Sequence, residues 1–173
     1  MEKTIFVPLG TAPGGPGTYP GLRRGGQKGA IRKEGKLEVS DISHIGIAVE
    51  DLERAVGAFS DMLGYPPSLT EEVAEQKVKV AMFAAKDDPD SGHIELLAAA
   101  DDTSPIKKFI EKRGPGLHHL AILVDDIEKK LSEMKAKGFR LIDETPKIGA
   151  GGRKIAFVHP ASTGGVLLEL QQR

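Results

Sequence analysis

Two stretches of the chain repeat each other at a distance of 75 residues, and no other feature restricts the fold as strongly. His44-Ile45-Gly46-Ile47-Ala48-Val49-Glu50-Asp51-Leu52-Glu53-Arg54 lies over His119-Leu120-Ala121-Ile122-Leu123-Val124-Asp125-Asp126-Ile127-Glu128-Lys129, and every position agrees in identity or in chemical kind. Such self-similarity marks one supersecondary unit used twice. Each copy reads as a strand, a short acidic turn and a helix. Leu52, Val56, Phe59 and Leu63 fall on one face of the first helix, and Ile127, Leu131 and Met134 on one face of the second. Asp51 and Asp126 are expected to cap these helices, and Gly64 and Gly138, now 74 apart, to end them.

Extended segments follow each helix, over 77–84 and 92–98 in the first copy and 153–159 and 165–171 in the second. Both copies close alike, on Ile94-Glu95-Leu96-Leu97 and on Leu168-Glu169-Leu170. Ile106, Phe109 and Ile110 predict a linking helix over 103–113. The expected fold class is α+β, with two paired βαβββ modules enclosing a cleft. Module one spans 42–100 and module two 116–172, within one domain over 41–173.

Residues 1–40 differ in kind. They hold 9 of the 21 Gly, 4 of the 11 Pro, and 7 basic against 3 acidic residues. A run such as Pro13-Gly14-Gly15-Pro16-Gly17 sustains neither a helix nor a sheet ladder, so a flexible extension is expected, with a short strand only at Thr4-Ile5-Phe6-Val7. It lacks the apolar core of a signal peptide, and its glycines and prolines break the amphipathic helix of a transit peptide. No apolar run approaches the roughly 20 residues that span a bilayer, so no membrane association and a cytoplasmic location are expected. Lys plus Arg total 24 against 25 Asp plus Glu, which argues against a nucleic-acid partner. Cysteine is absent, excluding disulfides, thiolate metal sites and thiol catalysis.

Strand alternation decides where the remaining chemistry points. Ile45, Ile47 and Val49 are expected to pack under the first helix, and Leu120, Ile122 and Val124 under the second. His44 and His119 then face the other way, as do Glu95 and Glu169. Their His-to-Glu spacings are 51 and 50 residues. If the modules meet about a pseudo-two-fold axis, two imidazoles and two carboxylates converge in a set suited to a divalent cation with open positions. Gly46 and Ala121 would leave room for a ligand. A lone strand-end His or Glu is ordinarily a solvated surface residue; the matched repetition favours the metal reading. His118 has the opposite parity to His119 and is set aside as a ligand. His93 shares the parity of Glu95 and is a candidate for substrate contact or for a surface role. His159, before Pro160, reads as a structural hydrogen-bonding residue.

These residues resemble the vicinal oxygen chelate superfamily of paired βαβββ modules, and within it the methylmalonyl-CoA epimerases. The likeness covers residues 42–172. It rests on His44-Ile45-Gly46-Ile47-Ala48-Val49, on Gly116-Leu117-His118-His119-Leu120-Ala121, on the run from Lys147-Ile148-Gly149-Ala150-Gly151-Gly152-Arg153-Lys154 through His159-Pro160, and on Gly164-Gly165-Val166-Leu167-Leu168-Glu169-Leu170. The resemblance implies His44, Glu95, His119 and Glu169 as metal ligands, the cation being Co, Mn, Ni, Zn or Mg. Some members of the family have Gln where this chain has Glu95. Some also carry a catalytic Glu on the third strand of the first module, where this chain has Val80.

The implied reaction interconverts (R)- and (S)-methylmalonyl-CoA, a step of propionate metabolism, by removing and returning the proton α to the thioester. Metal stabilisation of the enolate and two carboxylate bases would accomplish it, with Glu169 as one and Glu95 as the second. The loop bearing Lys147, Arg153 and Lys154 is placed either against the CoA arm or as a solvated hairpin turn. An acyl-CoA substrate and a homodimer are the expected partners. The competing functions are glyoxalase I, acting on a glutathione hemithioacetal, and a non-catalytic small-molecule binder. A non-haem iron oxygenase fits poorly, because a fourth protein ligand fills a position its three-ligand triad leaves open.

Overall fold

A computed structural model describes residues 42–84 and 92–173. The expected extension and the strand at Thr4–Val7 lie outside them. The chain order is β1 (Ile42–Ala48), α1 (Leu52–Leu63), β2 (Leu69–Val73), β3 (Val78–Phe83), β4 (His93–Ala99), α2 (Pro105–Arg113), β5 (Gly116–Val124), α3 (Ile127–Ala136), β6 (Lys147–Ile148), β7 (Lys154–Val158) and β8 (Leu168–Gln172). Two βαβββ units therefore flank the linking helix α2. The short strands β2, with its adjacent Glu71 and Glu72, and β6, two residues long, complete the three that follow each module helix.

All strands join in one sheet of order β2-β3-β4-β1-β5-β8-β7-β6. The order reads alike from both ends: β1 runs parallel to β4, β5 runs parallel to β8, and β1 and β5 pair antiparallel at the centre. Asp51 caps α1 by accepting from the Arg54 amide at 3.0 Å, and Asp126 caps α3 by accepting from the Lys129 amide at 2.9 Å. Gly64 ends α1 at φ 78°, in the left-handed region, and Gly138 takes φ 80° one residue beyond the cap of α3.

Three apolar clusters hold the layers together. Leu52, Val56, Phe59 and Leu63 of α1 pack on Ile47, Phe83 and Leu96. Ile127, Leu131 and Met134 of α3 pack on Ile122, Val124, Ala156 and Leu170. On the opposite face of module one, Ile106, Phe109 and Ile110 of α2 cover Ala48, Val78, Val80 and Leu97. Two expectations are corrected here, since neither Ile45 nor Leu120 packs under the helix of its module. Ile45 does not lie under α1 but is 40% exposed, and it pairs with Leu120 at the crossing of β1 and β5. That pair sits on the pseudo-two-fold axis, which leaves both residues outside the two helix-covered cores.

The sheet curls until its two ends meet. A Glu71 carboxylate oxygen on β2 accepts from the Gly151 amide at 2.6 Å, and Gln76 Nε2 donates to the Ile148 carbonyl at 3.2 Å. Module one thus holds the glycine-rich turn after β6.

Candidate metal centre

His44 and His119 stand on the two central strands, and Glu95 and Glu169 on the strands parallel to them. All four are between 2% and 5% exposed. The two Nε2 atoms are 3.0 Å apart. Glu95 Oε2 lies 3.6 Å from His44 Nε2 and 3.5 Å from His119 Nε2. Glu169 places its carboxylate oxygens 3.8 Å and 3.6 Å from the same two atoms. His44, His119 and Glu169 each offer a ligand atom within 4.8 Å of the others, and Glu95 closes the fourth side.

Burial sets the electrostatics. It pushes the Glu95 carboxyl well above the usual carboxylate range, with the Glu71 charge adding to the effect. It raises Glu169 likewise, helped by Glu95 and Asp143 and opposed by Lys147. It lowers His44 to about 4, with His93 contributing, and holds His119 well below its ordinary value, with His44 and His118 contributing. Two carboxyls that resist ionising beside two imidazoles that resist protonation are what a cation would reconcile, since it favours the ionised carboxylate and the neutral ring alike. The donor set fits a divalent ion of mixed nitrogen and oxygen preference.

The centre lies in a cleft of about 430 Å³. Val73, Val78, Val80, Leu97 and Ile106 form one wall, and Phe157, Lys147 and Gln171 belong to the other. Val80 is 1% exposed and packs in the apolar wall, so no carboxylate stands at that position. Lys147 Nζ lies 3.1 Å from Asp143 and 5.1 Å from the centre of the Phe157 ring. Lys154 is elsewhere: it alternates to the helix side of β7 and pairs with Glu128 of α3 at 2.7 Å. Arg153 directly precedes β7 and is half-buried. His93 sits beside His44 in the register but is not part of the cleft wall. His159 accepts from the Ala161 amide at 3.0 Å, a structural bond at a strand end as expected.

Gly46 serves a purpose different from the expected one. A Cβ there would stand 2.2 Å from His119 Cε1, so the missing side chain makes room for the His119 ring itself.

Alternation misplaced His118. It lines the cleft, and its Nδ1 lies 3.0 Å from His119 Nδ1. The reason is a β-bulge: Gly46 pairs with His119 and Ile47 with Leu117, leaving His118 unpaired. A matching bulge leaves Ser43 unpaired between Ile42 and His44. Ser43 Oγ lies 3.1 Å from His44 Nδ1 and donates to Gln171 Oε1 at 2.5 Å. Neither Ser43 nor Gln171 stood out in the sequence. The available signal was that Ser43 and His118 each precede a site histidine, 75 residues apart. Glu71 and Gln76 had no local signal, because their partners lie 80 and 72 residues away.

Paired βαβββ modules closing on a buried His/Glu cluster define a protein of the vicinal oxygen chelate type. The comparisons agree, and residues 43–157 match the family model for the glyoxalase/bleomycin resistance protein/dioxygenase superfamily. The chain belongs to that superfamily. It is 41% identical to an uncharacterised Bacillus subtilis protein, YqjC, over 75% of this chain and 89% of that one. It is 36% identical to the human mitochondrial methylmalonyl-CoA epimerase, over 76% of this chain and 73% of that one. A Streptomyces coelicolor methylmalonyl-CoA epimerase variant, solved in complex with 2-nitronate-propionyl-CoA, superposes with a TM-score of 0.73 at 32% identity, covering 78% of this chain and 95% of that one.

Proposed function

We propose that this protein is a metal-dependent methylmalonyl-CoA epimerase, and that residues 41–173 carry the activity, with modules over 42–100 and 116–172 joined by the helix over 103–113. The observation that carries the reading is the convergence of His44, Glu95, His119 and Glu169 at the base of a cleft, in a chain so similar to proteins of that name. These four residues would hold a divalent cation. Bound there, it would supply the positive charge that stabilises the enolate oxygen of the thioester.

The chain's own groups do the rest. Glu169 takes the α proton as the C–H bond breaks and its electron pair moves toward the thioester oxygen. Glu95, protonated, delivers a proton to the opposite face of the planar enolate. Burial raises the basicity of both carboxylates, and a bound cation would draw it back toward the ordinary carboxylate range. The apolar wall of Val78, Val80, Leu97 and Ile106 excludes water and accepts the α-methyl group. Lys147, beside the Phe157 ring, and Arg153 are the cations assigned to the substrate's carboxylate or CoA arm; the Lys154–Glu128 pairing removes Lys154 from that role. A homodimer is part of the proposal, supported by Ile45, Leu117 and Val166, which expose apolar surface beside one groove.

Deuterium exchange into methylmalonyl-CoA in heavy water, with and without chelator, tests the reading. Wild type exchanges and loses exchange on chelation. Glu169→Gln lowers exchange by about 10²–10⁴-fold, the range for loss of a general base. Near-normal exchange in that variant refutes the base role, and full epimerisation by Glu95→Gln removes Glu95 as the second base. The same preparation assayed on glutathione hemithioacetal separates the glyoxalase reading, and absence of both metal uptake and exchange would favour a binding protein.

A further inference from the structure

The two site histidines differ in how their outer nitrogens are held, and the difference follows from two replacements between the modules, Ser43 against His118 and Gln171 against Leu97. Glu95 pairs with Met82 and Glu169 with Phe157, and two residues further along the same strands Leu97 and Gln171 occupy equivalent places. On one side of the axis the bulged Ser43 meets Gln171; on the other the bulged His118 has Leu97 as the equivalent neighbour and packs edge-on against Phe109.

A Gln Oε1 only accepts, so the Ser43 hydroxyl proton points to Gln171 and its lone pairs face His44 Nδ1. His44 Nδ1 is therefore the donor. A neutral imidazole carries one N–H, which leaves His44 Nε2 with a bare lone pair aimed at the centre. His119 Nε2 converges on the same centre, 3.0 Å away, so as a ligand His119 carries its one proton on Nδ1. That Nδ1–H donates to His118 Nδ1 at 3.0 Å, which leaves the His118 proton on Nε2.

Resting on the metal reading above, we propose that His44 is a ligand locked in one tautomer by Ser43 and Gln171, whereas the ligand tautomer of His119 is set through His118, which takes the Nε2–H form to accept from it. His118 can turn its proton around because Leu97 offers no oxygen to fix it; Ser43, tied to Gln171, cannot.

Long-range ¹H–¹⁵N correlation spectra of histidine-labelled protein, recorded after chelation and after addition of Zn²⁺, test this directly. His44 is expected as the Nδ1–H tautomer in both states, and with Zn²⁺ bound His119 as Nδ1–H and His118 as Nε2–H. Gln171→Leu, which copies the module-one residue, releases the His44 tautomer, and His118→Phe leaves it locked; each weakens Zn²⁺ binding by calorimetry about 10–100-fold, the range for loss of an outer-shell partner. His44 as the Nε2–H tautomer in chelated protein, or His118 as the Nδ1–H tautomer with Zn²⁺ bound, overturns the proposal. Failure of wild type to take up Zn²⁺ instead removes the metal reading and the His118–His119 coupling with it, while the His44 lock is still read without metal.

Discussion

Module one and module two share a scaffold down to the register and surround their identical His/Glu pairs with different chemistry. Both cap their helix with an Asp, both bulge one residue before the site histidine, and both place their Glu on the strand parallel to it. Module one brings Val78, Val80 and Leu97 to the cleft, packed with the apolar side of α2. Module two brings Gln171, Lys147 and Phe157. The duplicated part can hold an ion symmetrically; the divergent part makes the two sides of the cleft unequal, which suits a substrate with an apolar α-substituent and a charged carboxylate.

The sharpest way to break this comparison is at its small residues. Gly46→Ala drives a methyl group into the His119 ring, so metal affinity should fall at least about tenfold, with an overpacking cost of about 1–3 kcal/mol. The equivalent change in module two, Ala121→Gly, should cost only about 0.5–1 kcal/mol and leave metal binding intact. Calorimetry and chemical denaturation on both variants check it; equal losses would mean the sides are interchangeable.

The next effect is one of pH. The imidazoles, lowered by burial, contribute stability above their unfolded value of 6.5 that is lost as pH falls toward their folded values, about 4 for His44 and His118. The carboxyls, raised by burial, contribute stability below their unfolded value of 4.5 that is lost as pH rises through their folded values. Above pH 6.5 only the carboxyl slope remains, so chelated protein should lose melting temperature with rising pH. Saturating divalent metal should flatten the slope. A chelated protein that grows more stable over that range would contradict the burial of the pair.

Glu71→Ala removes the bond by which module one holds the turn of module two. Loss of one charge-assisted hydrogen bond at a half-buried position should cost about 1–2 kcal/mol and raise KM for the acyl-CoA several-fold with kcat nearly unchanged. An unaltered KM would show that the turn does not touch substrate. The smallest effect tests equality. Asp51→Ala and Asp126→Ala should each cost about 1 kcal/mol, by the same amount within error, because both caps make the same bond. Unequal losses would place the modules' asymmetry in the scaffold as well as the site.

Much of this was legible before folding. The 75-residue repeat selected the strand–turn–helix units and their caps, the spacing of Ile106, Phe109 and Ile110 gave the linking helix, and alternation within each strand picked out His44, Glu95, His119 and Glu169 from a chain with 5 His and 25 acidic residues. Those are local properties: a strand's period of two and a helix's period of 3.6 belong to the segment that carries them. His118, Ser43, Ile45 and Glu71 were not legible in the same way. The bulges that turn Ser43 and His118 inward exist only where β1 and β5 pair, since a bulge is a mismatch between two strands. The exposure of Ile45 follows from its place on the axis between modules, and the grip of Glu71 on Gly151 from the curl of the whole sheet. The sequence by itself determined which residues each module offers to the site. Only the tertiary structure decided how those residues are held, because the partners of each histidine come from the opposite module or from a break in its own strand.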